Sequence, residues 1–196
     1  MIILVLVLAS VAVALMRGGR LANLGRLEFR FIYLLYLPII LQAVVYSPLP
    51  HLWNINILGT PYVYVFSMLI GVGVLLLNLH IPGLFLVLLG LLCNLLVIEA
   101  NGGYMPVSME AREFAGMGAF TGVDTNLIEM TADTEFWFLG DIISTPRGVP
   151  GSNVYSVGDV LITIGGLWFI QAALVSSSRP TPDSAKDSVE SGGLAG

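Results

Sequence analysis

Residues 81–98 read IPGLFLVLLGLLCNLLVI, eighteen positions without a charged side chain. A helix of about 20 apolar residues crosses the roughly 30 Å hydrocarbon core of a bilayer. Four further stretches are apolar over a similar or slightly shorter length, namely residues 1–16, 31–46, 62–78 and 160–176. Continuous apolar runs predict helices, because a membrane barrel would show alternating polarity. The predicted fold is therefore all-α, an integral membrane helical bundle of about five transmembrane helices.

The composition points the same way. Of the 196 residues 56% are apolar and 11% are charged, and the mean hydropathy is +0.88. A soluble domain has roughly 45–50% apolar and about 25% charged residues. The net charge of −5 and the single cysteine exclude a basic nucleic-acid binder and a disulfide scaffold. The expected partner is the lipid bilayer, and no nucleic-acid partner is expected.

The basic residues predict the orientation of these spans. Short cytoplasmic connections are enriched in lysine and arginine. One predicted side carries six such residues, which are the topology anchors Arg17, Arg20, Arg26 and Arg30 together with Arg179 and Lys186 of the tail. The opposite side carries two, Arg112 and Arg147, in a long connection. We therefore expect a cytoplasmic C-terminus and an outer N-terminus. Ala12-Val13-Ala14 resembles a signal-peptide cleavage site, but the arginines directly after the first run favour a retained helix.

The predicted organisation has two parts. Residues 1–176 form the transmembrane bundle, including an extracytoplasmic cap at residues 101–154, and residues 177–196 form a flexible polar tail. Within the cap, Ser108 is the expected N-cap of a helix at residues 109–115. Asp124 is the expected cap of a second short helix at residues 125–131. In the second span, Pro38 predicts a kink near the middle of the helix.

Polar side chains within or beside the spans are the candidate polar or ion-binding group. They are expensive in lipid and therefore suspect, although helix packing explains them too. The set comprises Gln42, Asn94, Glu99, Asp141, Asp159 and Gln171. Three carboxylates near the outer interface could hold a cation or relay a proton. Each also has a local explanation, since Glu99 ends a helix, Asp141 begins a loop and Asp159 fits a Ser-x-x-Asp capping box with Ser156.

Catalytic and metal motifs are missing from the sequence, so no catalytic and no metal-binding residues are assigned. His51 and His80 fall in connections on opposite sides of the predicted membrane and cannot share one metal ion or haem. Cys93 has no partner for a metal cage or disulfide. Cofactors remain unknown, and a pigment or a singly ligated haem stays open.

Three loop motifs together resemble a known family. They are Asn101-Gly102-Gly103-Tyr104-Met105-Pro106-Val107, Leu139-Gly140-Asp141-Ile142-Ile143 and Ser156-Val157-Gly158-Asp159-Val160-Leu161. With the opening apolar run and Arg17-Gly18-Gly19-Arg20-Leu21, they are similar to an uncharacterised bacterial membrane family, domain of unknown function 5317. The resemblance covers most of residues 1–175. It implies a multi-pass protein of the bacterial cell membrane in which the three motifs face one another, and it supplies no activity.

Function is the least determined property of this sequence. The leading hypothesis is a non-catalytic structural or accessory subunit of a larger membrane assembly, for example an energy-transducing complex, or a homo-oligomer. A small oligomeric transporter or ion-binding membrane protein is the alternative. A membrane enzyme acting on lipid with an outer carboxylate as base comes third, because a nucleophile and a metal set are lacking.

Overall fold

The computed structural model describes residues 2–45, 60–124 and 126–175, and most of these residues are helical. The α-helices are α1 (Ile2–Met16), α2 (Tyr36–Val45), α3 (Thr60–Leu77), α4 (Leu84–Ala100), α5 (Met109–Phe114) and α6 (Val157–Val175). Short 3-10 helices lie at Leu21–Arg26, Ile32–Leu35 and Trp137–Leu139. The predicted tail at residues 177–196 lies outside the described residues, as does His51.

The five longer helices pack side by side in the order α1, α6, α4, α3, α2. Their connections alternate between two ends of the bundle. At the end that we call the basic end, Arg20 N donates to Leu174 O over 3.0 Å, where α1 and α6 both finish. At the other end, which we call the cap end, Gly103 lies against Pro61 at the start of α3. The helices therefore run alternately up and down, and α1 runs parallel to α6.

Glycines set the closest helix contact, between the antiparallel helices α4 and α6. A Cβ at Gly90 would collide with the carbonyl oxygen of Gly158, and one at Gly165 would lie 2.7 Å from the carbonyl oxygen of Gly83. Small residues at these positions let the two backbones touch. By contrast, a Cβ at Gly166 would meet nothing within 4 Å.

At the basic end, Asn78 holds the chain that enters α2. This fully buried side chain donates from Nδ2 to the carbonyl oxygen of Arg30 over 2.8 Å, and its Oδ1 accepts from Arg30 N over 2.7 Å. The same Nδ2 donates to Val74 O over 2.7 Å. A buried polar group needs such partners, so Asn78 pins the connection without placing a charge in the core.

Residues 101–154 contain strands as well as a helix, which corrects the all-α expectation. Strands β1 (Met105–Val107), β2 (Val123–Asp124) and β3 (Leu127–Glu129) form a sheet in the order β1-β3-β2, while β4 (Ile143–Ser144) pairs with β5 (Val154–Tyr155). The helix predicted at residues 125–131 is therefore wrong, because β3 pairs with β1, far away in sequence. The helix predicted at residues 109–115 is confirmed as α5, with Ser108 Oγ accepting from Ala111 N over 3.2 Å.

The second apolar run is broken rather than kinked. A 3-10 turn at Ile32–Leu35 precedes α2, so Pro38 occupies the first turn of that helix. A proline is tolerated there, because its missing N–H would have no helical partner. The expected kink at the middle of one long helix is therefore wrong.

Helix length separates α6 from the other apolar helices. Over the described ranges, α6 alone has both the length, 19 residues, and the apolar composition of a helix that can cross a membrane. The other apolar helical stretches, with the 3-10 turn at Ile32–Leu35 joined to α2, are 10–17 residues long and occupy Ile2–Met16, Ile32–Ala43, Pro61–Leu77 and Leu84–Ala100. By length and composition, one described helix could cross a membrane, and the expected five spans are not supported.

Two clusters of buried apolar residues lie where the bundle meets the cap. One cluster joins Val65, Met68, Val97, Ile98 and Met105, from α3, α4 and β1. A second cluster holds α5 against β1 and β5, through Val107, Ala111, Ala115 and Val154. The core therefore fixes residues 105–107 and α5 above the ends of α3 and α4.

Candidate functional site

The first turn of α6 is closed by a reciprocal capping box. Asp159 N donates to Ser156 Oγ over 2.9 Å, and Ser156 N donates to Asp159 Oδ2 over 3.2 Å. Both side chains thereby satisfy backbone donors that have no partner within the helix. The capping geometry predicted from the Ser-x-x-Asp spacing is confirmed.

Asn94 of α4 ties this box to the neighbouring helix. Its Oδ1 accepts from Ser156 Oγ over 2.8 Å, and its Nδ2 donates to Asp159 Oδ1 over 3.0 Å. Ser156 is fully buried, and Asn94 is 8% exposed. The polar group that the sequence places within the fourth span thus makes helix-to-helix hydrogen bonds at the cap end.

Asp141 approaches the same place from the cap. Its backbone joins the edge of β1, where Asp141 N donates to Pro106 O over 2.8 Å and Ser108 N donates to Asp141 O over 3.0 Å. The preceding residue has to be small, because a Cβ at Gly140 would lie 2.7 Å from Pro106 O. This backbone pairing fixes the point on the chain from which the Asp141 side chain projects.

The Asp141 carboxyl is unusual among the polar side chains of the described segments. Its Oδ1 is buried and has no hydrogen-bond partner. The pKa of Asp141 is raised to about 7, chiefly by burial and further by the negative charge of Asp159, while the positive charge of Arg112 opposes both effects. A buried carboxylate without a full set of donors favours its neutral form. Asp141 is therefore poised to change charge near neutral pH.

Arg112 is the cationic member of the site, and sequence reasoning considered it only as a loop charge. It is 9% exposed, and its Nε and Nη2 donate to the carbonyl oxygen of Gly118 over 3.0 and 2.7 Å. Its guanidinium carbon lies 4.9 Å from the centre of the Phe120 ring. These contacts anchor the guanidinium within the cap, where it acts on Asp141 through charge.

These groups surround a cavity of about 260 Å³ between the cap and the bundle. Polar groups on its wall come from both parts of the chain and include Asn94, Arg112, Asn126, Asp141, Asn153 and Asp159. Apolar groups, among them Ile98, Met105 and Leu127, line the remainder. The liquid volume of a water molecule is about 30 Å³, so the cavity has room for a small organic molecule.

Of the six candidate residues, the structure brings together Asn94, Asp141 and Asp159. The other three lie elsewhere. Glu99 is exposed near the end of α4, and Gln42 is half-buried in α2. Gln171 lies twelve residues after Asp159 on the same helix, about 18 Å away along its axis. It donates to Ser10 Oγ over 2.9 Å and accepts from Arg17 over 2.9 Å, so it joins α1 to α6 at the basic end.

The described residues form no cluster of metal ligands. Across residues 2–45, 60–124 and 126–175, no three His, Cys, Asp or Glu side chains are grouped so that they could hold a metal ion. His80 is exposed in the turn after α3, and Cys93 is a free, half-buried thiol on α4. The cavity's chemistry therefore rests on carboxylates, amides and one guanidinium.

Comparison with known proteins places the chain in a family. The model of one family matches residues 26–171, which is most of the chain. The chain belongs to DUF5317, a family of unknown function. The DUF5317 match includes the three loop motifs that carried the resemblance, together with α2 to α5 and most of α6. It begins after α1, so residues 17–21 lie outside it. The chain matches no curated protein and no solved structure.

Proposed function

We propose that this chain is a multi-pass membrane protein with its cap end outside and its basic end in the cytoplasm. Large apolar side chains are exposed on all five of the longer described helices, for example Leu8 (60%), Ile39 (62%), Phe66 (54%), Phe85 (61%) and Trp168 (55%). Monomeric soluble proteins rarely expose contiguous apolar surface on this scale. Lipid would cover these faces, and the alternating connections would then lie at the two membrane surfaces.

Short helices do not oppose this proposal. A 15-residue helix such as α1 is about 22 Å long, and bilayers thin locally around short spans at a cost of fractions of a kcal/mol per Å. The helices also lie against one another, so that α6 and its neighbours would cross the bilayer as one bundle. Four arginines at the basic end, Arg17, Arg20, Arg26 and Arg30, suit a cytoplasmic headgroup layer.

Within this frame we propose that the protein binds a small organic cation in the cavity between cap and bundle. The observation that carries the proposal is that Asp141, whose buried Oδ1 has no hydrogen-bond partner, lines the cavity together with a second carboxylate, Asp159. An ammonium group in the cavity would bring positive charge and hydrogen-bond donors to these two carboxylates. When Asp141 and Asp159 are both ionised, the two carboxylates and the one guanidinium give the wall a formal charge of −1, which a single monovalent cation neutralises.

An organic cation fits this wall better than a bare metal ion does. The described residues offer only two carboxylates here, and neither a histidine nor a thiol joins them. Apolar side chains such as Ile98 and Leu127 would contact the carbon skeleton of an organic ligand. The hypothesis of an accessory subunit stays a prediction, since exposed apolar helices fit lipid and partner helices equally well.

The test uses the full chain purified in mild detergent and n-propylammonium chloride as the probe. Bound ligand stabilises the folded state by mass action, about 2.7 kcal/mol at 100 times the dissociation constant. We expect the thermal midpoint to rise with propylammonium relative to sodium chloride at equal ionic strength, and Asp141→Asn to abolish the rise. Glu99→Gln is the matched control, because it removes one charge at an exposed position on α4. An equal rise in the Asp141→Asn variant would overturn the proposal.

A further inference from the structure

A second cavity adjoins the cation site on the membrane side. It has a volume of about 320 Å³ and lies between the start of α1 and the first turns of α6. Its accessible wall is apolar and comes from Ile2, Ile3 and Leu6 on one helix and Val160, Ile164 and Leu167 on the other. Thr145 and Tyr155 close it at the cap end. We call this cavity the α1–α6 groove.

Asp159 lines both the polar cavity and the α1–α6 groove. Its two carboxylate oxygens accept from Asn94 Nδ2 and from Ser156 N, so the charge lies on the side of the polar cavity, and the part of Asp159 that faces the groove is apolar. A ligand that used both spaces would therefore place a cationic part beside Asp141 and Asp159, and an apolar part beside Val160 and Ile164.

The groove has the dimensions of one membrane leaflet. From Asp159 to Leu167, α6 rises about 12 Å, and half of a hydrocarbon core measures about 15 Å. With the cap end outside, the groove descends from the outer headgroup layer into the hydrocarbon. A hydrocarbon chain lying there would enter from the outer leaflet with its head group at the cap.

We propose that the site takes a membrane lipid with a primary ammonium head group, the head in the polar cavity and one chain in the α1–α6 groove. This inference rests on the proposed cation site and names its ligand class. A primary ammonium brings positive charge as well as hydrogen-bond donors to the carboxylates of Asp141 and Asp159, whereas the hydroxyls of a polyol head donate hydrogen bonds without a positive charge. Arg112, on the same wall, offers positive charge to the phosphate of such a lipid.

Native mass spectrometry tests the proposal. The full chain is reconstituted with equal amounts of phosphatidylethanolamine and phosphatidylglycerol, extracted into mild detergent, and its retained lipids are counted. We expect one phosphatidylethanolamine per chain, retained at least fivefold over phosphatidylglycerol, and loss of this preference in Asp141→Asn. Equal retention of both lipids by the wild-type chain would mean annular lipid only and would overturn the inference, whatever the variants do.

A matched pair of variants tests the groove. Ile164→Trp adds bulk at the groove wall, whereas Ile39→Trp makes the same change on an exposed face of α2. We expect only Ile164→Trp to lose phosphatidylethanolamine, and the propylammonium-induced rise in thermal midpoint to persist in both. That rise also shows that each variant is folded. If propylammonium stabilises the wild-type chain but the lipid preference is absent, the cation site stands and the lipid inference fails. If neither effect occurs, both fail.

Discussion

Asn94 Nδ2 on α4 donates a 3.0 Å hydrogen bond to Asp159 Oδ1 on α6. The two residues are 65 positions apart in the sequence, and this bond converts a local helix cap into a contact between helices. The other oxygen of Asp159 accepts from Ser156 N. Each oxygen of the carboxylate therefore has its own donor, which gives Asp159 two structural roles.

Replacing Asp159 should separate these two roles. Asp159→Asn keeps one acceptor oxygen and loses one hydrogen bond, at a cost of about 0.5–1.5 kcal/mol. Asp159→Ala loses both side-chain hydrogen bonds, at about 0.5–1.5 kcal/mol each, and retains only the bond from its backbone N to Ser156 Oγ. We expect the order wild type, Asn, Ala in the free energy of unfolding in detergent. Asp133→Asn, on an exposed position of the cap, serves as the control. Equal stability of the Asn and Ala variants would mean that Asp159 does not cap α6.

A methyl group at the crossing of α4 and α6 should lower the free energy of unfolding more than a methyl group on an open face of α6. Gly90→Ala places a Cβ against the Gly158 carbonyl, so we expect a loss of about 1–3 kcal/mol from overpacking. Gly166→Ala meets open space and should be neutral or stabilising by about 0.5–1 kcal/mol, since alanine favours helix. Thermal unfolding of the two variants in the same detergent makes the comparison. A neutral Gly90→Ala would argue against the close contact of α4 and α6.

Asp141 should make stability depend on pH. Its pKa is about 7 in the folded protein against 3.8 for an ordinary aspartate, because burial and Asp159 outweigh Arg112. Between these values the unfolded chain binds fewer protons than the folded one, so the free energy of unfolding falls as pH rises from about 4 to 7 and then levels off. We expect Asp141→Asn to flatten this slope and to be more stable than wild type above about pH 7. Thermal midpoints of the wild type and of Asp141→Asn measured across this pH range test the prediction. The same pH dependence in both proteins would contradict it.

Cysteine labelling in intact cells tests the orientation. Gly25→Cys at the basic end and Gly118→Cys in the cap both place the new side chain in open space. In a Cys93→Ala background, a membrane-impermeant maleimide should label Gly118→Cys from outside and should reach Gly25→Cys only after permeabilisation. The reverse pattern would invert every statement about the two ends.

The sequence predicted the features that depend on residues close together in the chain. Ser156 and Asp159 are three positions apart, and Ser108 directly precedes α5, so cap chemistry alone identified them. The sequence pattern did not predict which strands pair when the two strands are far apart in the chain. Asp124 looks like a helix cap locally, but β2 and β3 form there because β1 offers Leu127–Glu129 a parallel neighbour about twenty residues away.

In the candidate site too, local features were predictable from the sequence and contacts between distant residues were not. Hydropathy assigned a depth to Asn94, Glu99 and Asp159, but not the side of the helix on which each lies. Asn94 faces α6, whereas Glu99, five positions on, is exposed. Asp141 takes its position only because Gly140 fits beside Pro106 of β1. Arg112 joins the site because α5, the helix that carries it, packs against β1 and β5. The sequence pattern carries no signal for either arrangement.

The parallel contact of α1 with α6 has a consequence for biosynthesis. Gln171 donates to Ser10, 161 residues earlier in the chain, so α1 has to wait for the synthesis of α6 before it finds this partner. At about 5–20 residues per second, that delay is about 8–32 s. During this interval a ribosome-bound chain exposes the α1 face that α6 will cover. An insertion factor or a chaperone that shields a lone apolar helix would then govern the yield of folded protein more than the final stability does.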